Sequence, residues 1–118
     1  MRRVVLESPF AGEIDRNVAY ARRCVLDCLN RGEAPIASHL LFTQPGILKD
    51  EIPGDRELGI EAGLTWVQVA DLMAVYTDHG ISDGMENAMS RARLHKIPIE
   101  FRQLGDAADS LIREASGE

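Results

Sequence analysis

The sequence predicts an α/β protein with a mostly parallel sheet wound by helices on both faces, and three observations carry that prediction. Short β-branched or apolar runs alternate along the chain with stretches whose apolar residues recur at helical spacing. One run, Leu72-Met73-Ala74-Val75-Tyr76, is apolar throughout and bounded by Asp71 and Asp78, as a strand covered on both faces requires. Helical segments separate the strands, so each crossover returns the chain in the same direction and the strands pair in parallel.

The elements follow in order. Arg3-Val4-Val5-Leu6 is short, β-branched and closed by Ser8-Pro9 and Gly12, which makes it a buried first strand followed by a loop. Asp15 is placed to cap a helix whose apolar face runs through Val18, Ala21, Val25, Cys28 and Leu29, with Gly32 as its stop. Ala34-Pro35-Ile36-Ala37 reads as a second strand. The segment from Ser38 to Asp55 holds Pro45, Gly46, Pro53 and Gly54 and no long periodic stretch, so a long functional loop is expected. Asp55 then caps a helix toward Ala70 through Leu58, Ala62, Trp66 and Val69, in which Gly59 and Gly63, four apart, suit close packing. After the central strand, Ser82 caps a helix with the buried stripe Met85, Ala88, Met89 and Ala92. Pro98-Ile99-Glu100-Phe101-Arg102 alternates like a half-exposed edge strand, and a last helix is expected over residues 107 to 114. The result is a doubly wound, flavodoxin-like or Rossmann-like sheet of about four to five strands.

Size and charge narrow the function. A chain of 118 residues with 45% hydrophobic content fits a single domain spanning residues 1–118. The net charge is −6 and the basic residues are scattered, which argues against a nucleic-acid polymer as partner. No apolar run approaches the ~20 residues of a membrane span, and Met1-Arg2-Arg3 leads into no signal-peptide core, so a cytoplasmic protein is expected. Cys24 and Cys28 sit among apolar residues at helical spacing and read as core side chains in a reducing compartment. His79 and His95 have no partner at metal-ligand spacing, and no dinucleotide, P-loop, hydrolase or thioredoxin signature occurs, so no metal or cofactor is expected.

Ligands of doubly wound sheets bind beyond the carboxyl ends of the strands. That rule gathers Ser8 to Gly12, Ser38 onward and Asp78 to Glu86 around one crevice. Gly80-Ile81-Ser82-Asp83-Gly84 joins a central strand to a helix start, where free amides attract an anion, although Asp83 opposes a strongly charged one unless Arg16, Arg56 or another base compensates. Asp78 and Glu86 flank this turn and could divide the work of nucleophile and acid, or of sugar-hydroxyl ligand and nucleophile; the plainer alternative is a turn former and a favourable charge near a helix start. Ser38, His39, Thr43 and Gln44 add hydrogen-bonding groups at another strand end.

These residues resemble the nucleoside 2-deoxyribosyltransferase-like family, with its small nucleotide N-glycosidase branch and short phage-borne relatives. The resemblance rests on Val4-Val5-Leu6-Glu7-Ser8-Pro9-Phe10, on Ala70-Asp71 and on Asp78-His79-Gly80 leading into Gly84-Met85-Glu86. The stretches Gly32-Glu33-Ala34-Pro35, Ser38-His39-Leu40-Leu41 and Thr43-Gln44-Pro45-Gly46 are similar to the phage-borne subgroup. The resemblance implies catalysis by Glu86 as nucleophile with Asp78 on a sugar hydroxyl or the leaving base. It implies a ligand site of Ser8, Pro9, Phe10, Ser38, His39, Gly80, Ser82, Gly84 and Met85, with Phe10 beside the base and Ser82 with the Gly80 and Gly84 amides at a 5′-phosphate. In the transferase branch the glutamate stands six residues after the aspartate, a position that is Gly84 here.

Three functions follow. The first is hydrolysis or transfer at the N-glycosidic bond of a nucleoside or nucleotide. The second is a non-catalytic phage-type binder that sequesters a nucleotide-derived signalling molecule, in the cytoplasm of a bacterial host. The third is a purely structural protein with empty polar loops. The resemblance also implies a homo-oligomer, for which the glycine-lined face of the second long helix and Trp66 would suit subunit contact, if Trp66 is not simply core.

Overall fold

A computed structural model describes residues 1–108. Four strands, β1 (Arg3–Glu7), β2 (Ala34–Ile36), β3 (Leu72–Tyr76) and β4 (Ile99–Arg102), form one sheet in the order β2-β1-β3-β4. All three pairings are parallel, with Val5 opposite both Ile36 and Met73, and Val75 opposite Phe101. The expected α/β class, parallel pairing and edge position of the last strand are what the structure has. The helices are α1 (Ile14–Asn30), a single turn α2 (Ser38–Leu41), α3 (Pro53–Val67) and α4 (Asp83–Leu94).

Side chains alternate across a strand, and the core divides accordingly. Val4, Leu6, Leu72, Ala74 and Tyr76 pack on one face with Tyr20, Cys24 and Cys28 of α1. Val5, Met73 and Val75 pack on the other with Leu64 and Val67 of α3 and Met85, Ala88, Met89 and Ala92 of α4. All five β3 residues are buried, as the unbroken apolar run demands, and both cysteines are buried free thiols.

Three boundaries differ from expectation. The first helix begins at Ile14, one residue before Asp15, because the Asn17 amide donates to the Phe10 and Ala11 carbonyls and fixes the preceding loop. The third begins at Pro53, whose fixed φ suits a first helical turn, and Asp55 lies inside that turn with its carboxylate accepting from the Lys49 amide. The segment from Ser38 contains the α2 turn, held by Leu41 and Phe42 amides donating to the Ala37 and Ser38 carbonyls. Ser82 caps α4 as expected, its hydroxyl accepting from the Met85 amide at 3.3 Å. Chain after β4 forms a short 3-10 turn (Gly105–Ala107), and the helix expected over 107 to 114 lies, past Ala108, outside the described residues.

One buried ion pair closes the α1 side of the sheet. Arg102, 5% exposed, donates from two guanidinium nitrogens to Glu33 at 2.8 and 2.7 Å, and Arg2 adds a further bond to the same carboxylate. The Arg102 guanidinium holds the Glu33 carboxyl below its ordinary range.

Candidate functional site

At the carboxyl ends of β1, β2 and β3 lies a cavity of 370 Å³, within the ~300–1,000 Å³ span of small-molecule sites. Four walls enclose it. The β1 end and its loop supply Glu7, Ser8, Phe10 and Ala11; α2 and the turn after it supply Ser38, His39, Phe42 and Thr43. Leu48, Asp50 and the face of α3 that carries Asp55, Arg56, Gly59, Ile60, Gly63 and Leu64 form the third wall. Ser82 to Met85 with Asn87 and Ala88, at the start of α4, form the fourth.

The close meeting of two walls has a local cause. Gly63 faces Ser38 so tightly that a Cβ at residue 63 would overlap the serine hydroxyl oxygen and stand 2.8 Å from the serine Cβ. Only glycine admits this approach of α3 to α2, and it brings His39 to the mouth of β1. There Ser8, buried, and the His39 Nε2 lie 2.7 Å apart, with the imidazole edge-on to Phe10 at a ring separation of 6.5 Å. Burial pushes the His39 pKa down to about 4, so the ring is neutral at pH 7. A neutral imidazole beside a hydroxyl offers both a donor and an acceptor to the pair.

Glu7 is the second unusual group. It shares its side of the sheet with Val5, two residues earlier, and so points toward α3 and α4, where the cavity is. Burial pushes its carboxyl up to about 8. Among the described residues no hydrogen bond or ion pair reaches it.

Of the residues expected to bind a ligand, Ser8, Phe10, Ser38, His39, Ser82, Gly84 and Met85 line the cavity together. Pro9 and Gly80 stand outside the lining; the Gly80 amide donates to the Thr77 carbonyl at 2.9 Å and closes a turn with φ +84°. Glu86 also stands outside it. At 100° per residue it falls beside, not within, the buried stripe of α4, and it is exposed while Met85 and Ala88 reach the cavity. Asp78 is built into the fold. Its carboxylate accepts from the Tyr20 hydroxyl at 2.5 Å, from the Leu104 amide at 2.9 and 3.0 Å, and from the Gly105 amide at 2.9 Å. Burial raises its pKa, but these donors together outweigh burial and hold the carboxyl below its ordinary range.

Glu7, Asp50 and Asn87 line the cavity without being candidates from the sequence, and Arg56, expected only as a possible counter-charge to Asp83, lines it too. For Glu7 the signal was present: continuing the alternation of β1 by one more residue places it on the Val5 side. For Arg56 the cavity-facing side of α3 is hard to find from hydrophobicity, because apolar residues occur all round that helix, with Leu58, Ile60 and Trp66 exposed.

Every residue lining this cavity falls within residues 2–102, the span that matches a family described as a domain of unknown function, DUF7768. The chain belongs to the DUF7768 family. No curated protein matches it. Among solved structures it is similar to the CMP N-glycosidase BcmB of Clostridium botulinum, with a TM-score of 0.51, 14% identity, and coverage of 98% of this chain and 81% of that one. At that identity the two share a fold, an α/β arrangement around a parallel sheet. Among the described residues, no helix of the DUF7768 chain is long and apolar enough to cross a membrane.

Proposed function

We propose that this DUF7768 protein binds a nucleoside or nucleotide in the cavity at the strand ends. The observation that carries the reading is the cavity itself: seven residues from the segments that follow three strands, expected from the sequence to meet a nucleoside, converge on a single hollow of suitable volume. Phe10 offers a ring edge or face to a base. Ser8, Ser38, Thr43, Ser82 and Asn87 offer neutral hydrogen-bonding groups to a sugar. The likeness in fold to a CMP N-glycosidase supports the same class of ligand.

Isothermal titration of the purified protein with cytidine, uridine, adenosine, guanosine and their 5′-monophosphates tests the reading. Saturable binding near one ligand per chain is expected, and it should weaken about tenfold or more in Phe10→Ala, which removes an aromatic contact. No heat and no thermal shift with any of the eight compounds would reject it.

The fold likeness favours a second reading, in which the bound ligand is cleaved at its N-glycosidic bond; the nucleophile expected from the sequence, Glu86, lies outside the cavity lining, so it would have to reach in from the start of α4. Under the binding reading alone, ligand recovered after denaturation is chemically unchanged. Free base in that extract would establish cleavage, and its absence in Glu86→Gln would assign the nucleophile.

A further inference from the structure

We propose that Glu7 is the base-reading residue of this site: its carboxyl group pairs, as a side-by-side donor and acceptor, with an adjacent acceptor and donor on the edge of the nucleobase. The proposal rests on the reading of the cavity as a nucleoside site and goes beyond it by naming which group selects the heterocycle.

The geometry is that of a carboxyl left open for a ligand. Glu7 ends β1, paired in register with Val75 of the central strand, so its backbone is fixed by the sheet. Its side chain is half-buried and lines the cavity without a hydrogen bond or ion pair from any described residue. Other acids of the fold are treated differently. Glu33 is held by Arg102 and Arg2, Asp71 by Arg3, and Asp78 by one hydroxyl and two amides. Removing a carboxyl from water without a partner is costly, so such a group keeps its proton, and burial here pushes Glu7 up to about 8.

A protonated carboxyl carries one O–H donor beside one carbonyl acceptor. That pattern is complementary to the acceptor and donor that neighbour each other on a nucleobase edge, such as a ring nitrogen beside an exocyclic amine or a lactam. It does not suit a phosphate. The other titratable and charged groups of the walls are His39 on α2, neutral at pH 7, Asp50 before α3, Asp55 and Arg56 on α3, and Asp83 at the start of α4. Arg56 is exposed, and burial, which raises the carboxyl, is what sets Glu7.

The test measures affinity for cytidine, uridine, adenosine and guanosine at pH 6.5 and pH 9.0 in wild type, Glu7→Gln and Glu7→Ala, with circular dichroism confirming that each variant is folded. Wild type should lose about tenfold in affinity for its best nucleoside at the higher pH, as a group titrating near 8 gives up its proton. Glu7→Gln, which keeps a donor beside an acceptor at every pH, should show no such loss, and it also corrects for ionisation of the ligand or of other groups. Glu7→Ala should bind weakly at both. Parallel losses in wild type and Glu7→Gln, or wild-type affinity in Glu7→Ala, would overturn the role of Glu7 and leave the cavity reading standing. Absence of binding by wild type at either pH would instead remove the cavity reading, and this proposal with it.

Discussion

Glu7 and His39 face one cavity and pull stability in opposite directions along the pH axis. The folded Glu7 carboxyl titrates near 8, well above its value in an unfolded chain, so the folded state binds the extra proton between about 4.5 and 8. Stability is therefore lost as pH rises through that window. His39 is the reverse case: its folded pKa near 4 lies below the unfolded 6.5, and stability present above 6.5 is lost as pH falls toward 4. Glu7→Gln should accordingly gain over wild type by about 1–4 kcal/mol at pH 8.5 and by little at pH 5, each unit of raised pKa being worth about 1.4 kcal/mol. Urea denaturation at the two pH values reads this, and an equal gain at both would contradict it. Asp78 behaves differently, because its partners stabilise the charged form. Asp78→Asn should cost about 1.5–3 kcal/mol by weakening the bonds from Tyr20, Leu104 and Gly105, measurable in the same assay; no loss would show those bonds to be dispensable. Residue type and position alone did not separate these acids: Glu7 ends β1 and Asp78 follows β3 by two residues, and only the partners supplied by α1 and by the chain after β4 distinguish them.

Elements were legible where their signal is local. The apolar run of β3, the Ser82 cap and the helical stripe from Met85 to Ala92 appear in the structure where the sequence puts them. Helix starts at Ile14 and Pro53 were less legible, since neither is marked by a capping side chain. The meeting of α2 and α3 was partly legible. Gly59 and Gly63 suggest close packing, but the sequence does not say against what, and the structure answers with Ser38 for Gly63 and Leu48 for Gly59. Those two contacts predict unequal mutants. Gly63→Ala forces backbone movement between α2 and α3, so it should destabilise by about 1–3 kcal/mol despite the better helix propensity of alanine. Gly59→Ala meets only a leucine methyl at 3.2 Å, which can rotate away, and should fall within about 1 kcal/mol of wild type. Equal effects in thermal unfolding would show that the Ser38 contact does not limit the wall.

The whole molecule places its switch in strand order, between β1 and β3, at the same end of the sheet as the cavity. Charge at that end is unbalanced. Asp50, Asp55 and Asp83 line the hollow with Arg56, in a protein of net charge −6. Nucleosides should thus bind more tightly than their 5′-monophosphates in low salt, with the gap narrowing as salt screens the lining. Titrations at 20 and 300 mM salt would show it, and a monophosphate preference at both would contradict the charge argument. At the opposite end, Trp66 is 49% exposed and borders an apolar groove with Val69, Ile36 and Ala70. The expected self-association would use this groove rather than Gly63, whose contact is within the chain; light scattering should give a mass above 13 kDa, and a monomer would contradict it. The account as a whole turns on where a nucleoside sits. Amide chemical shifts during titration with the tightest-binding nucleoside test that most directly: Ser8, Phe10, His39, Ser82 and Met85 should move together while Trp66 and Val69 stay fixed. Shifts confined to the Trp66 groove, or spread evenly over the surface, would contradict it.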